Sequence, residues 1–329
     1  MISMDRNTSP KSPLTKDMIN KAVEQANIET YSEEELEKFK TLYAKRNRFN
    51  RNQIEVANGS DEWIQKIVMT LGQSGVMSFK PDFFMYQVYT NQVGIRFYSV
   101  ASRGDFSFDF DAAVRAIQDK KPSVFFISNP HNPTGVLLPS YAMKQLADAM
   151  KAVGGYLVID EAYGEFALDR ELPTGDHVII LRTLSKVYGL AGLRIGIAIA
   201  KGEAFDKITK INHPYPLNSL SLVLANALLN DEEKLDEWFN YQKELHQKLV
   251  DSFEIVRRHV RIKPSHTNFV FVYGDKAKDL YNYLLENGFK GRVYEEDQQL
   301  SNVARFSIVD ETAVDELRAL ITKWGEAND

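Results

Sequence analysis

Short apolar runs alternate with helical segments through the middle of the chain. Six of these runs lie at 75–79, 93–99, 124–128, 156–159, 178–181 and 195–200. Nearly every position within a run is hydrophobic, which is typical of parallel strands covered on both faces. The pattern therefore predicts an α/β fold in which helices sandwich a mainly parallel sheet.

The two ends of the chain are mainly helical. Helices are predicted at 17–25, from 32, where Ser32 and Glu35 match a capping box, and from 60. Beyond 218 come a helical stretch at 220–260, a strand at 267–272, a helix at 276–287, a strand at 303–308 and a helix from 311. We predict a large domain of residues 30–217 and a smaller α+β domain of residues 1–29 and 218–329. The Pro/Ser-rich opening predicts an extended arm, a type of segment that often crosses to a partner subunit.

Composition narrows the classes of function. The 329 residues are 44% hydrophobic and carry a net charge of -5, which excludes intrinsic disorder and gives no basic surface for nucleic acid. The apolar runs are far shorter than the roughly 20 residues that cross a membrane, and no signal-peptide core is present, so a cytoplasmic location is expected. With no cysteine and no metal-binding spacing among the six histidines, we expect neither thiolate chemistry nor a metal site.

Three segments at strand ends carry the candidate chemistry. They are the Asn/Pro/Gly-rich turn within 125–135, the carboxylate-ended run 156–163, and the segment 183–194, which holds Lys186 and Arg194. In an open α/β sheet, functional groups lie on the loops beyond the carboxyl ends of the strands. The three segments are therefore predicted to meet at one edge of the sheet.

The chain resembles the fold-type I, pyridoxal-phosphate-dependent class I and II aminotransferases, and among them the histidinol-phosphate aminotransferase branch. The resemblance is carried by Asn-Gly-Ser-Asp-Glu at 58–62, Asn-Pro-His-Asn-Pro-Thr-Gly at 129–135, Asp-Glu-Ala-Tyr at 160–163, Thr-Leu-Ser-Lys at 183–186 and Ala-Gly-Leu-Arg at 191–194. It implies a large domain with a seven-stranded type of sheet, and pyridoxal phosphate as the cofactor.

The resemblance also implies roles around the cofactor ring. Lys186 would form a Schiff base with the cofactor aldehyde and then move the substrate proton, which requires a desolvated amine. Asp160 would keep the ring nitrogen protonated. Asn132 and Tyr163 would donate to the phenolic oxygen, and Phe83 would stack on the ring. The catalytic set is therefore Lys186, Asp160 and Tyr163.

A second group of residues matches the family's phosphate site. It comprises Gly59, Ser60, Asp61, Thr183, Ser185 and Arg194. Backbone N–H groups at a helix N-terminus and a guanidinium are the usual phosphate donors. Tyr31 lies where the branch has a tyrosine that reaches the phosphate of the neighbouring subunit, which implies a homodimer.

The substrate side is predicted from single residues. Arg305 matches the family arginine that binds the α-carboxylate, and Asn132 is expected to contact the substrate as well. Asn7 resembles an arm motif that closes over the substrate, although Thr8 replaces its usual acidic residue. Arg292 is the available match for a phosphate-binding arginine, but the carboxylates at 295–297 would oppose a dianion there.

Three functions remain open at this point. The first is an aminotransferase that uses an amino acid or a histidinol phosphate-like donor with a 2-oxo acid such as 2-oxoglutarate. The second is a lyase or decarboxylase on the same scaffold, similar to threonine-phosphate decarboxylase. The third is a non-catalytic sensing or structural module.

Overall fold

The computed structural model describes residues 1–167, 171–294 and 297–329. Within these ranges the strands are β1 (Ile2–Ser3), β2 (Ile54–Asn58), β3 (Val76–Lys80), β4 (Phe97–Ala101), β5 (Val124–Ser128), β6 (Tyr156–Asp160), β7 (Val178–Thr183), β8 (Ile195–Ile199), β9 (Arg261–Ile262), β10 (Phe269–Tyr273), β11 (Phe289–Lys290) and β12 (Val303–Ser307). The helices are α1 (Lys16–Gln25), α2 (Glu33–Asn47), α3 (Ser60–Leu71), α4 (Met85–Gln92), α5 (Phe110–Lys120), α6 (Ser140–Ala152), α7 (Gly202–Thr209), α8 (Ser219–Leu229), α9 (Glu232–Glu254), α10 (Ala277–Glu286) and α11 (Glu311–Ala327).

Seven strands form the central sheet in the order β2-β8-β7-β6-β5-β3-β4. The pairs from β7 to β4 are parallel, whereas β8 runs antiparallel to both of its neighbours, β2 and β7. All strands except β8 therefore point in one direction. The predicted α/β class with a mainly parallel seven-stranded sheet is confirmed.

The sheet separates two layers of helices because its strands are apolar on both faces. In β5, Phe126 packs with the apolar side chains of α3 and α7, whereas Phe125 and Ile127 pack with those of α5 and α6. All five residues of β5 are buried. Burial of each large apolar side chain contributes roughly 1.5–3 kcal/mol, so the strands at the centre of the sheet also hold the layers together.

One strand prediction is wrong in detail, and one strand of the sheet was not predicted. The apolar run at 93–99 is split: α4 ends at Gln92, a turn follows with Gly94 at φ 70°, and β4 begins only at Phe97. The edge strand β2 was not predicted, since its mixed sequence Ile-Glu-Val-Ala-Asn gives no continuous apolar run. It is completed by its pairing with β8, a tertiary contact that the local sequence does not encode.

Two helix predictions also need correction. The stretch 220–260 is two helices, because Asp231 caps a new helix by accepting a hydrogen bond from the Lys234 N–H at 3.0 Å. Ser32 does precede α2, but it makes no side-chain cap. Its hydroxyl instead donates to the Leu217 carbonyl at 2.7 Å, because tertiary packing offers this buried hydroxyl a partner outside the helix.

The N-terminal arm packs against its own chain. β1 pairs in parallel with β11, and the Met4 side chain is fully buried in a core formed with α9, α10, α11 and the small sheet β12-β10-β9. This core supports the last strand, β12, from which Arg305 projects. The domain division at 217/218 stays a prediction. Among the described helices, none has the length and apolarity that a membrane span needs.

Candidate active site

The candidate residues converge at one edge of the central sheet. The carboxyl ends of β3, β5, β6 and β7 lead to Asp82, Asn132, Asp160 and Lys186. The reversed strand β8 begins at this same edge, directly after Arg194. These residues line one cavity of about 910 Å³, which Arg292, Arg305 and the arm complete on the side of the small sheet. The geometry follows from the parallel strand order that the sequence predicts.

Asp160 is a buried carboxyl at the floor of this cavity, with 4% of its surface exposed. Burial raises its pKa to about 7, although hydrogen bonds from the Tyr86 hydroxyl at 2.9 Å and the Ala162 N–H at 3.1 Å act in the opposite direction. Within the described ranges no cation pairs with it. A buried acid of this kind gains stabilisation from any ligand that brings a proton or a positive charge.

Lys186 is a half-buried amine on the loop after β7. Its Nζ donates to the Arg6 carbonyl at 3.2 Å and lies 5.9 Å from the centre of the Tyr163 ring. Burial, together with the nearby Arg305 guanidinium, lowers the pKa of Lys186 to about 8. The neutral, nucleophilic form of the amine is therefore far more populated near neutral pH than it is for a solvated lysine.

This lowered pKa predicts the pH dependence of Lys186 reactivity. In cofactor-free protein, condensation of Lys186 with pyridoxal should accelerate as the pH rises, with a midpoint near 8, because only the neutral amine attacks the aldehyde. Absorbance of the imine measures the rate, and the same reaction on Lys186→Ala subtracts all other lysines. A midpoint near the value for a solvated lysine, about 10.4, would contradict the desolvated amine.

A cradle of donors lies at the N-terminus of α3. Arg194 donates to the Ser185 hydroxyl at 3.4 Å and to the Asp61 carboxylate at 3.5 Å, and the Thr183 hydroxyl bonds Ser185 at 2.9 Å. Gly59 precedes α3 with φ 85°, and a Cβ there would lie 2.3 Å from Arg194 Nη2. Only glycine leaves room for the guanidinium beside the free N–H groups of the helix, an arrangement suited to phosphate.

Asn132, Tyr163 and Arg305 meet above Lys186. Arg305 Nη1 donates to Asn132 Oδ1 at 2.6 Å, and the buried Tyr163 hydroxyl accepts from Asn7 Nδ2 at 2.8 Å. Arg305 Nη2 binds the Asp5 carbonyl at 2.9 Å, so the arm contacts this group directly. The arm predicted from sequence is therefore part of the site within its own chain.

Arg305 has capacity left for an anion. Its side chain is buried, its Nε has no hydrogen-bond partner, and among the described residues no carboxylate lies within ion-pair distance of it. Its guanidinium carbon lies 5.0 Å from the centre of the Phe269 ring, which holds the planar group in place. An uncompensated buried guanidinium is well suited to bind a carboxylate through two parallel hydrogen bonds.

The remaining predicted residues lie in three different settings. Phe83 lines the cavity and packs edge-on to Tyr86 at 5.5 Å. Arg292 also lines it and pairs through its backbone with Arg305. Tyr31 is outside: its side chain is 75% exposed and stacks on Tyr215 at 4.3 Å.

Sequence reasoning missed several buried partners of these residues. Tyr86 binds Asp160, Asn268 donates to the Asn7 carbonyl at 3.0 Å, and Asp82 lies beneath Asn132 and receives the Ser128 hydroxyl. Tyr86 and Asp82 lie close to Phe83 in the sequence, but their spacing carries no sign of these contacts. They are visible only once β3, β5 and β6 lie side by side.

Comparison with known proteins identifies the family. The model for "Aminotransferase class I and II" matches residues 4–321. A histidinol-phosphate aminotransferase of Thermoanaerobacter sp. is 32% identical, over 88% of this chain and 83% of that protein.

Two solved structures share the fold. The histidinol-phosphate aminotransferase of Sinorhizobium meliloti, in complex with pyridoxal 5'-phosphate, has a TM-score of 0.83 at 24% identity and covers 100% of this chain and 91% of its own. The L-threonine-O-3-phosphate decarboxylase of Porphyromonas gingivalis has a TM-score of 0.78 at 20% identity, over 99% and 100% of the two chains. The family match and the converging strand ends lead to one conclusion: the chain belongs to the class I and II aminotransferases and is a pyridoxal-phosphate-dependent aminotransferase.

Proposed function

We propose that Lys186 and Asp160 hold opposite ends of the pyridoxal phosphate ring, with the cofactor phosphate at the N-terminus of α3. Three observations support this fit. Asp160 is buried without a cation among the described residues, Gly59 leaves a space beside Arg194 that a Cβ would fill, and Lys186 has a lowered pKa. Ser60, Asp61, Thr183 and Ser185 supply the other groups of the phosphate cradle.

The cofactor, when bound, supplies an aldehyde for the donor's amino group and a ring that accepts electrons from the donor α-carbon. The protein supplies the rest. Lys186 Nζ would take up the proton that the donor α-carbon loses and would pass it on within the site. Asp160 would hold a proton on the ring nitrogen, and Asn132 and Tyr163 would bind the ring oxygen. Phe83 would cover one face of the ring.

Arg305 is proposed to bind the α-carboxylate of the amino acid and of the 2-oxo acid. Its partner Asn132 fixes the guanidinium from one side, and the Asp5 carbonyl fixes it from the other. Asn7, bonded to Tyr163, closes the same end of the cavity from the arm. The substrate would thus lie between the arm and Lys186.

The Arg305→Lys variant is expected to raise KM for every carboxylate substrate by roughly tenfold or more, because a lysine keeps the charge but loses the paired geometry. Steady-state kinetics with several amino donors would measure the change. The exposed variant Arg115→Lys on α5 serves as a matched control. Unchanged KM values would remove Arg305 from the substrate site.

The donor we favour is histidinol phosphate-like, with 2-oxoglutarate as the acceptor. The observation that carries this choice is the position of Arg292, which pairs with Arg305 and lines the same cavity. Of the three carboxylates at 295–297 that were expected to oppose a phosphate, one is placed by the structure beside a lysine. Asp297 lies 3.5 Å from Lys80, which offsets its charge, while residues 295 and 296 lie outside the described residues. Relatives that carry the name histidinol-phosphate aminotransferase support the same donor.

A donor panel tests this assignment. Histidinol phosphate, phenylalanine, aspartate and threonine phosphate are each mixed with cofactor-loaded enzyme, and the cofactor spectrum is followed over a single half-reaction. Stoichiometric conversion to the pyridoxamine form, fastest with histidinol phosphate, is the expected result. Carbon dioxide release from threonine phosphate would instead favour the decarboxylase, whose fold the chain shares.

We further propose a homodimer in the cytoplasm, in which each subunit sends Tyr31 to the cofactor phosphate of the other. Tyr31 is largely exposed and does not line the cavity of its own chain, which supports a role toward a second copy. The stack on Tyr215 gives the ring a defined orientation.

A further inference from the structure

Asp82 is a buried carboxylate that the proposed chemistry does not use. It follows β3, and only 2% of its side chain is exposed. It accepts hydrogen bonds from the Phe83 N–H at 2.7 Å, the Ser78 hydroxyl at 3.3 Å, and both the hydroxyl and the N–H of Ser128. Asp82 thus receives donors from two neighbouring strands, β3 and β5, and is held firmly in place at this edge of the sheet.

A continuous chain of hydrogen bonds leads from Asp82 to the substrate end of the cavity. Ser128 donates its hydroxyl hydrogen to Asp82, and its oxygen accepts from the Asn132 N–H at 2.9 Å. The Asn132 side chain in turn receives Arg305 Nη1 at 2.6 Å. Because each donor is used once and each link is at least partly buried, a displacement of Asp82 would move Asn132 and with it the guanidinium.

The same carboxylate acts on the floor of the cavity. Ser128 is the register partner of Asp160 across β5 and β6, so Asp82 and Asp160 lie on adjoining parts of one sheet edge. The charge of Asp82 raises the pKa of Asp160 and of Tyr86, after the larger effect of burial. Two carboxylates at this end of the cavity attract a positively charged ligand group more strongly than Asp160 alone would.

The ring of His131 lies close by. Its Nε2 is 3.6 Å from Asp82 Oδ2 and has no hydrogen-bond partner, while its Nδ1 bonds the Thr134 hydroxyl at 2.8 Å. The ring also packs on Phe108 at 4.6 Å. His131 therefore covers one side of Asp82, which is also among the residues that line the cavity.

We propose that Asp82 is a positioning residue for both ends of the active site: through Ser128 and Asn132 it orients Arg305, and beside Asp160 it favours a protonated ring nitrogen of the cofactor. The inference rests on the proposed roles of Asp160 and Arg305. It adds a residue that touches neither the substrate carboxylate nor the ring.

Ligand binding tests the effect on the ring nitrogen. Equilibrium affinities are measured for pyridoxal phosphate and for its analogue with carbon in place of the ring nitrogen. Asp82→Asn should weaken pyridoxal phosphate binding by about tenfold and the carbon analogue by much less, since only the nitrogen carries a proton. Asp82→Ser is a second neutral variant, so that failure of one to fold leaves the comparison intact. Asp119→Asn, which removes an exposed carboxylate, is the control.

The chain to Arg305 is tested with a 2-methyl amino acid, which binds the loaded enzyme but has no α-proton to lose. Ser128→Ala should weaken its binding about tenfold while keeping the preference for pyridoxal phosphate over the carbon analogue. The double variant Ser128→Ala/Asp82→Ser should bind the 2-methyl amino acid little more weakly than either single variant does, because both substitutions break the same series of hydrogen bonds.

The outcomes distinguish a failure of the role proposed for Asp160 from a failure of the role proposed for Asp82. If the wild-type protein binds pyridoxal phosphate and its carbon analogue with equal affinity, the proposed role of Asp160 is overturned and, with it, that of Asp82. A wild type that discriminates, together with an Asp82→Asn variant that discriminates equally well, would overturn Asp82 alone. Unchanged amino acid binding in Ser128→Ala would overturn the link to Arg305.

Discussion

The Lys186→Ala variant is expected to lose transamination by at least about a thousandfold. Without this amine the protein has neither a covalent attachment for the cofactor nor a base at the substrate α-carbon, and proton transfer by a positioned group alone contributes about 10²–10⁴-fold. The cavity should still admit the cofactor, since the phosphate cradle around Arg194 is untouched. Added small amines should restore part of the activity, because they supply the missing base.

Single-turnover kinetics and the cofactor spectrum measure both effects. Lys144→Ala is a suitable control, because Lys144 is an exposed lysine on α6 that pairs with Asp148. Retention of the bound-cofactor spectrum of the wild type in Lys186→Ala would contradict the account, since another lysine would then have to carry the cofactor.

The Asp160→Asn variant is expected to show the second-largest loss, about 10²–10³-fold in kcat. A neutral amide cannot hold a proton on the ring nitrogen, so the ring accepts electrons from the α-carbon less readily. The variant should bind the carbon analogue almost as tightly as the wild type does, although its kcat with pyridoxal phosphate falls, because that analogue has no nitrogen to protonate. An unchanged kcat would contradict the role of Asp160.

Stability provides an independent check on Asp160. Its folded-state pKa is raised to about 7, so the folded protein favours the protonated acid and loses stability as the pH rises from about 4 to about 7. Asparagine resembles the protonated form at every pH. Cofactor-free Asp160→Asn should therefore have a higher Tm than the wild type above pH 7 and a similar Tm near pH 4, which thermal unfolding across this range would measure.

The parts of the fold that could be predicted from sequence are those in which neighbouring residues form a clear hydrophobic pattern. The apolar runs that form β5, β6 and β7 are buried on both faces of the sheet. Burial on both faces requires an almost continuous apolar sequence, which is easily recognised as a central strand. Because parallel strands end at one edge, the positions of Asn132, Asp160 and Lys186 followed from the same pattern. The family and its cofactor are confirmed, while the role of each side chain remains a prediction.

The features of the fold and the site that were not predicted depend on contacts between residues far apart in the sequence. β2 exists as a strand because β8 lies beside it, and Ser32 gives up its cap for the Leu217 carbonyl. Asp82 reads as an ordinary polar turn residue after a strand. Only the neighbouring strand, which brings Ser128 against it, reveals the contacts on which its proposed role rests.

The most direct test of the central claim is to reduce the cofactor-loaded protein with borohydride and map the modified lysine by mass spectrometry of its peptides. The account predicts a pyridoxyl phosphate group on Lys186, at close to one per chain, and none on Lys186→Ala. Modification at any other lysine, with Lys186 unmodified, would contradict it.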